Sequence, residues 1–324
     1  MTRGFLLGKF LPPHAGHIYL CQSAAALCDR LTVLVCSLPD DPISGADRFC
    51  WMADLLPNVN VVHLTDVVPQ EPKDHPDFWP IWTAICRNVH PEPIDFVFGS
   101  ETYVLRLAAE LQAEPILIDP ERLTFPVSGS AIRSDPVANW RFLPGPVRRH
   151  FQKRVVLVGA ESVGKSTMAS NLAAHYATPF LPEYGRTYDA SKIDRTWGSE
   201  DFGMISARHR ALRHTLAPSA GPALIEDTDP LLTLVWQQYL TGLPAPSRKI
   251  SDLADLYLLL DADIPWHDDG TRYQSNTADR LAFQSLCEEV LLENHASFIR
   301  ISGDHDARFA RCVAAVDGLI GEIS

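Results

Sequence analysis

Short apolar runs alternate with stretches of helical periodicity from one end of the chain to the other. In the first half the runs fall at residues 2–10, 31–38, 59–66, 95–101 and 114–120. Helical patterns lie between them, reaching about residue 27, then at 46–56, 78–89 and 103–111. The second half repeats the alternation, with runs at 155–158, 178–183, 222–230, 256–263 and 297–302. Its helical stretches extend from the turn after the first run to 176, then cover 199–216, the segment after Pro230, 279–293 and 304–320. Strands alternating with helices predict α/β architecture with doubly wound parallel sheets, which take their ligands at the carboxyl ends of the strands. Pro144, Gly145 and Pro146 interrupt the pattern and mark a linker. The predicted domains are therefore 1–145 and 152–324.

The most specific local signal is RVVLVGAESVGKST, residues 154–167. A buried strand runs into Gly159, Gly164, Lys165 and Ser166 at the spacing of a phosphate-binding loop, and a helix follows. The glycines let backbone N–H groups point at phosphate oxygens, and Ser162 and Thr167 complete the candidate ATP contacts. Lys165 reaches the β- and γ-phosphates, the Ser166 hydroxyl suits Mg2+, and the helix N-terminus favours the same anion.

Composition narrows the class. Apolar residues make up 46% of 324, and no apolar run is long enough to span a membrane. The net charge of −12 opposes a role in coating nucleic acid. Cys21, Cys28, Cys36, Cys50, Cys86, Cys287 and Cys312 are odd in number and unpatterned, as expected of reduced thiols in a cytoplasmic protein. The start of the chain lacks a signal-peptide layout, which points the same way.

Further chemistry-bearing residues cluster at strand ends. His14 and His17 stand at a loop-to-helix junction with Lys9 nearby. Two imidazoles there can donate to phosphate oxygens; the competing readings are a helix cap or a metal pair, which lacks a third ligand of suitable spacing. Ser128, Ser130 and Arg133 open a later helix and place a cation beside free N–H groups, a second clamp for a triphosphate. Arg48, unfavourable in the first turn of its helix, is a candidate ligand contact or a solvated side chain. Trp79 and Trp82 read as core packing or as a stacking surface for a flat cationic ring. In the second half, Glu183 is a candidate general base and Arg186 a substrate clamp, or the two form a structural pair. The strand ending in EDTD makes Asp227 the choice for Mg2+, with Asp229 or Glu226 as alternatives. The polar stretch with Trp266, Asp268, Asp269, Gly270, Arg272 and Arg280 reads as a lid that delivers an arginine to phosphate.

Gly8, Phe10, Pro12, His14, Gly16 and His17 resemble the G-x-F-x-P-x-H-x-G-H signature of the nucleotidyltransferase superfamily, and Ser128, Ser130, Ile132 and Arg133 its second signature, with Gly129 replacing a Ser/Thr. Joined to PEYGRTY, DTD and the PWxxDGxR stretch, this layout resembles the bifunctional NadR family over nearly the whole chain. The resemblance implies a Rossmann-like nicotinamide-nucleotide adenylyltransferase followed by a P-loop ribosylnicotinamide kinase. It implies that His14, His17, Lys9 and Arg133 act on ATP in the first half, with Gly8, Phe10, Gly16, Ser128 and Ser130 around it. Lys165, Glu183 and Asp227 would act in the second, with Arg272 on ATP. Arg48, Trp79, Trp82, Arg186, Asp229 and Trp266 would contact substrate. Mg2+ is the implied cofactor. ATP, nicotinamide riboside, nicotinamide mononucleotide (NMN) and NAD are the implied ligands, with self-association allowed and no nucleic acid or membrane. Some members carry an N-terminal helix-turn-helix; this chain begins at the first catalytic strand, so no DNA-binding role is expected. Competing readings are a nucleotide-sensing regulator and the same two modules acting on another vitamin nucleotide.

Overall fold

The computed structural model describes residues 1–193, 196–245, 247–265, 273–274 and 276–323. It divides into two compact units, Met1–Val147 and Arg148–Ser324.

In the first unit the apolar runs become β1 (Arg3–Gly8), β2 (Arg30–Cys36), β3 (Asn60–Leu64), β4 (Phe96–Gly99) and β5 (Glu114–Leu117). They pair in parallel in the order β3-β2-β1-β4-β5. The connections supply α1 (Ala15–Leu27), α2 (Gly45–Leu55), α3 (Phe78–Val89), α4 (Tyr103–Leu111) and α5 (Gly129–Ser134). The order reverses at β1, so the β1 and β4 carboxyl ends flank a crevice, where such sheets bind ligands. Core side chains pack on both sheet faces, Phe5, Leu34, Trp82 and Val97 in one cluster and Leu6, Val33, Met52 and Phe98 in the other. A sheet covered twice reads as continuous apolar runs, which is why its strands were legible.

A short helix, α6 (Gly145–Phe151), carries the linker. Proline is tolerated in a helix's first turn, and Arg148, Arg149 and His150 fall in the last, where the helix dipole favours cations. The second unit follows with β6 (Lys153–Val158), α7 (Lys165–His175), β7 (Phe180–Leu181), α8 (Tyr184–Ser191), α9 (Ser199–Leu216), β8 (Ala223–Asp227), α10 (Pro230–Thr241), β9 (Leu256–Leu260), α11 (Thr277–Glu293), β10 (Phe298–Ile301) and α12 (His305–Gly321). Its parallel order is β10-β9-β6-β8-β7. Every residue of β8 and β9 is buried. The expected strand at 178–183 contracts to two residues, because Pro179 and Pro182 have no N–H to give the ladder and leave it at the sheet edge.

Two candidate nucleotide sites

In each unit a large cavity lies at the carboxyl ends of the strands. In the first unit a cavity of ≈ 680 Å³ is lined by Gly8, Lys9, Phe10, His14, Gly16, His17, Trp79, Trp82, Ser128, Ser130 and Arg133, so the two signatures and the tryptophans meet in one place. Gly129 explains how the signatures approach. A Cβ there would lie 2.5 Å from the Leu11 carbonyl oxygen, so only glycine lets α5 abut the first loop. Arg133 Nη1 then donates to that same oxygen. Ser128 caps α5, its Oγ accepting from Ala131 N at 3.1 Å and lying 3.0 Å from Ser130 Oγ.

His14 caps α1 by accepting the His17 amide on Nδ1 at 3.4 Å, which leaves its ring proton on Nε2. The two imidazoles stack with centroids 3.7 Å apart. Burial, helped by the Arg122 charge, pushes His14 down to about 4. Burial, His14 and Arg122 likewise hold His17 well below the usual histidine range. Both rings are therefore neutral near pH 7. Arg122 was not picked out from the sequence. It lines the cavity and sits 3.4 Å from Glu101, and its only signal was an arginine in the loop before the second signature.

The tryptophans differ in setting. Trp82 is buried and its Nε1 donates to the Pro69 carbonyl at 2.9 Å, while half-buried Trp79 has Arg106 5.8 Å from its ring. Arg48 is a correction. It is fully buried, and its guanidinium donates to the carbonyls of Ile43, Lys9 and Cys36 and to Asp41. A guanidinium so enclosed braces the Lys9 segment rather than touching substrate. Its awkward place in the first turn is explained by Asp41 and by the carbonyls beyond the helix.

In the second unit the phosphate loop has the required geometry. Gly159 has φ +137°, and a Cβ there would meet Leu260 O at 2.7 Å; Gly164 has φ +86° and Ser162 +60°. Lys165 is buried, with Nζ 3.0 Å from Gly159 O and 2.8 Å from Ala160 O. Thr167 lies in the first turn of α7 and is exposed. The acids of β8 separate by strand alternation. Glu226 is fully buried, bonded to Arg154 Nε at 2.7 Å and His209 Nε2 at 2.8 Å; burial opposes its charge, but these partners hold it below the usual carboxylate range. Asp227 faces the phosphate loop. Burial and the Glu183 carboxylate push it up to about 6, against Lys165 and a hydrogen bond from Ser166. Its Oδ1 is buried without a hydrogen-bond partner among the described residues. Asp229, expected to touch substrate, is a second correction. It caps α10, Oδ1 accepting from Leu231 N at 2.8 Å and Oδ2 from Tyr257 Oη at 2.8 Å, entirely inside the core.

A second cavity, ≈ 640 Å³, opens beside the loop. Lys165, Glu183 and Arg186 line it, the last two paired at 2.8 Å. So do residues the motif search passed over: Glu161, Asp189, Trp197 and Tyr273, together with Trp236. Tyr273 Oη donates to Asp189 Oδ1 at 2.9 Å and accepts from Trp197 Nε1 at 3.2 Å. Arg280 is buried in α11 and donates to the carbonyls of Glu161 and Ile264. Trp266, Asp268, Asp269, Gly270 and Arg272 lie outside the described residues.

The model of an AAA domain, AAA_28, matches residues 154–308. The chain is 29% identical over 343 residues to the trifunctional NAD biosynthesis/regulator protein NadR of Salmonella typhimurium (strain LT2), which covers 98% of this chain and 83% of that protein. It is 29% identical, across 158 residues, to a nicotinamide-nucleotide adenylyltransferase of Methanoculleus marisnigri, covering 45% of this chain and 87% of that protein. A crystal structure of a NadR protein in complex with NR superposes with a TM-score of 0.74 at 21% identity, covering 99% of this chain and 96% of that one. The fold is thus shared with a NadR protein over nearly the whole of both chains. With 30% identity over 347 residues to the NadR protein of Escherichia coli (strain K12), spanning 99% of this chain and 84% of that one, the chain belongs to the NadR family.

Proposed function

We propose that this protein makes NAD by two ATP-dependent steps. The second unit phosphorylates nicotinamide riboside, and the first joins the resulting mononucleotide to AMP from a second ATP, releasing pyrophosphate. The observation that carries this reading is that each unit brings its own phosphate-binding motif to the wall of its own nucleotide-sized cavity.

In the kinase unit the backbone amides of the phosphate loop and Lys165 hold the transferred phosphate in line. Ser166 and Asp227 would hold Mg2+. The partnerless Asp227 Oδ1 beside the Ser166 hydroxyl suits a hard cation or its bound water, and Mg2+ is commonly completed by substrate phosphates. Bound there, the cation would neutralise charge across the β- and γ-phosphates. Glu183, at the cavity wall and on the neighbouring strand end, is placed to accept the acceptor hydroxyl's proton, and Arg186 steadies it. Trp197, Trp236 and Tyr273 with Asp189 make an aromatic, acidic wall that suits a cationic pyridinium ring.

In the adenylyltransferase unit His14 and His17 donate as neutral imidazoles to the phosphate that is attacked, and Lys9 and Arg133 supply the positive charge. The reaction needs positioning and electrostatic stabilisation and no covalent enzyme intermediate. Trp79, the more exposed of the two rings, offers the nicotinamide a stacking face. A cytoplasmic location fits the scattered free thiols, and no described helix is long and apolar enough to cross a membrane.

The test supplies full-length protein and Mg-ATP with nicotinamide riboside in one tube and NMN in another. The expected products are ADP with NMN in the first, and NAD with pyrophosphate in the second. Absence of both would overturn the assignment.

A further inference from the structure

A carboxylate inside a phosphate-binding loop is a physical anomaly, since it would repel the ligand the loop serves. Glu161 is such a residue, and it is nearly buried. The structure accounts for it. Glu161 Oε2 accepts the backbone N–H groups of Tyr273 at 2.8 Å and Gln274 at 2.7 Å, two successive amides. Gln274 is fully buried and returns the contact, its Oε1 accepting from Glu161 N at 2.9 Å. The pairing spans more than 110 residues of sequence, as a reciprocal clasp between the phosphate loop and the start of the segment leading to α11.

What the clasp holds is Tyr273. Its hydroxyl bonds Asp189, and its ring stands edge-on to Trp197 and Trp236 with centroids 6.2 and 6.3 Å apart. All of these residues line the kinase cavity. The loop that takes the phosphate donor therefore grips the residue that walls the acceptor cavity.

We propose that Glu161 is a positioning residue for the acceptor, acting through Tyr273 and coupling nucleotide binding at the phosphate loop to the shape of the aromatic wall. This rests on the reading of the second cavity as the riboside site. Nucleotide that orders the loop fixes the Glu161 carboxylate, which fixes 273–274, so donor and acceptor bind more tightly together than apart.

The test uses the full-length chain with Glu161→Gln, Glu161→Asp, Tyr273→Ala and the Glu161→Gln/Tyr273→Ala double variant. Gln keeps the shape but weakens acceptance of two N–H groups; Asp keeps the charge but shortens the reach. Either change is expected to raise the riboside KM measured at saturating ATP about tenfold, and the ATP KM measured at riboside well below its KM less than about threefold. In the Tyr273→Ala background the Gln substitution adds nothing further. A full additional loss there, or a change confined to the ATP KM, overturns the proposal. Hydrogen exchange at the Tyr273 and Gln274 amides decides independently of any acceptor. Mg-AMP-PNP should protect them in the parent chain and not in Glu161→Gln, and equal protection in both overturns the clasp. If the parent chain fails to phosphorylate riboside, the acceptor assignment falls, and the exchange result still decides whether Glu161 holds 273–274. Should Glu161→Gln fail to fold, Glu161→Asp carries the same comparison, with adenylyl transfer as the check on integrity.

Discussion

The two units line their cavities with groups of different chemistry. The first presents two stacked, neutral imidazoles and an arginine anchored by a carbonyl. The second presents a buried lysine and a carboxylate whose proton is held into the neutral range. The difference lies in what burial does to each group. Burying a histidine near Arg122 removes its charge and keeps it a donor; burying Asp227 near Glu183 makes its charge costly, so that it ionises only above about 6. One site is set by shape and hydrogen bonding, the other by charge balance.

The sharpest break of this comparison is a pair of single substitutions. Lys165→Ala should lower kinase kcat/KM by about 10²–10³-fold and leave adenylyl transfer intact, and His17→Ala should do the reverse. Steady-state assays of both activities on each variant decide it; loss of both activities in a folded protein would contradict two independent sites.

Asp227→Asn should cost about 10²-fold in kinase turnover while raising the melting temperature by a few degrees. The buried carboxylate is raised from 3.8 to about 6, so above that pH it destabilises the fold, and the amide removes the charge. Calorimetry at pH 7.5 that shows a lower melting temperature would contradict the charge-balance account.

Acid should separate the units next. Kinase kcat/KM should fall about tenfold per pH unit below about 6 as Asp227 protonates, while the adenylyltransferase half keeps neutral His14 to about 4. The stability signs are opposite. Between 6.5 and about 4 the unfolded chain binds the His14 proton first, so acid destabilises the first unit through that group. Between about 6 and 3.8 the folded chain binds the Asp227 proton first, so acid relieves the second. Melting curves of His14→Gln and Asp227→Asn against pH should shift in these opposite senses relative to the parent chain.

The smallest effect refines the first site. Trp79→Ala should raise the NMN KM by about tenfold with kcat nearly unchanged, the scale of one lost stacking contact. Trp82→Ala removes a buried ring and its bond to Pro69, and should destabilise by about 3–5 kcal/mol. Equal KM effects from the two, without a stability difference, would undo the division of labour between them.

Much of this protein was legible without a structure, and the reason is locality. Gly159 and Gly164 encode backbone angles, the apolar runs encode strands covered on both faces, and the His14–His17 and Ser128–Arg133 groups each sit within one turn-to-helix junction. Such features are written in adjacent residues, so both folds and the core of each site could be read from them. What tertiary structure alone decided were the choices among chemically similar residues. Glu226, Asp227 and Asp229 are near neighbours in sequence, yet one joins Arg154 and His209, one faces Ser166, and one caps a helix. Arg48 and Arg122 look alike as exposed cations, yet one is enclosed by carbonyls and the other lines a cavity. The Glu161 clasp needs a segment more than 110 residues away. Those assignments depend on which remote chain segment returns to meet each side chain, and local pattern carries no record of that.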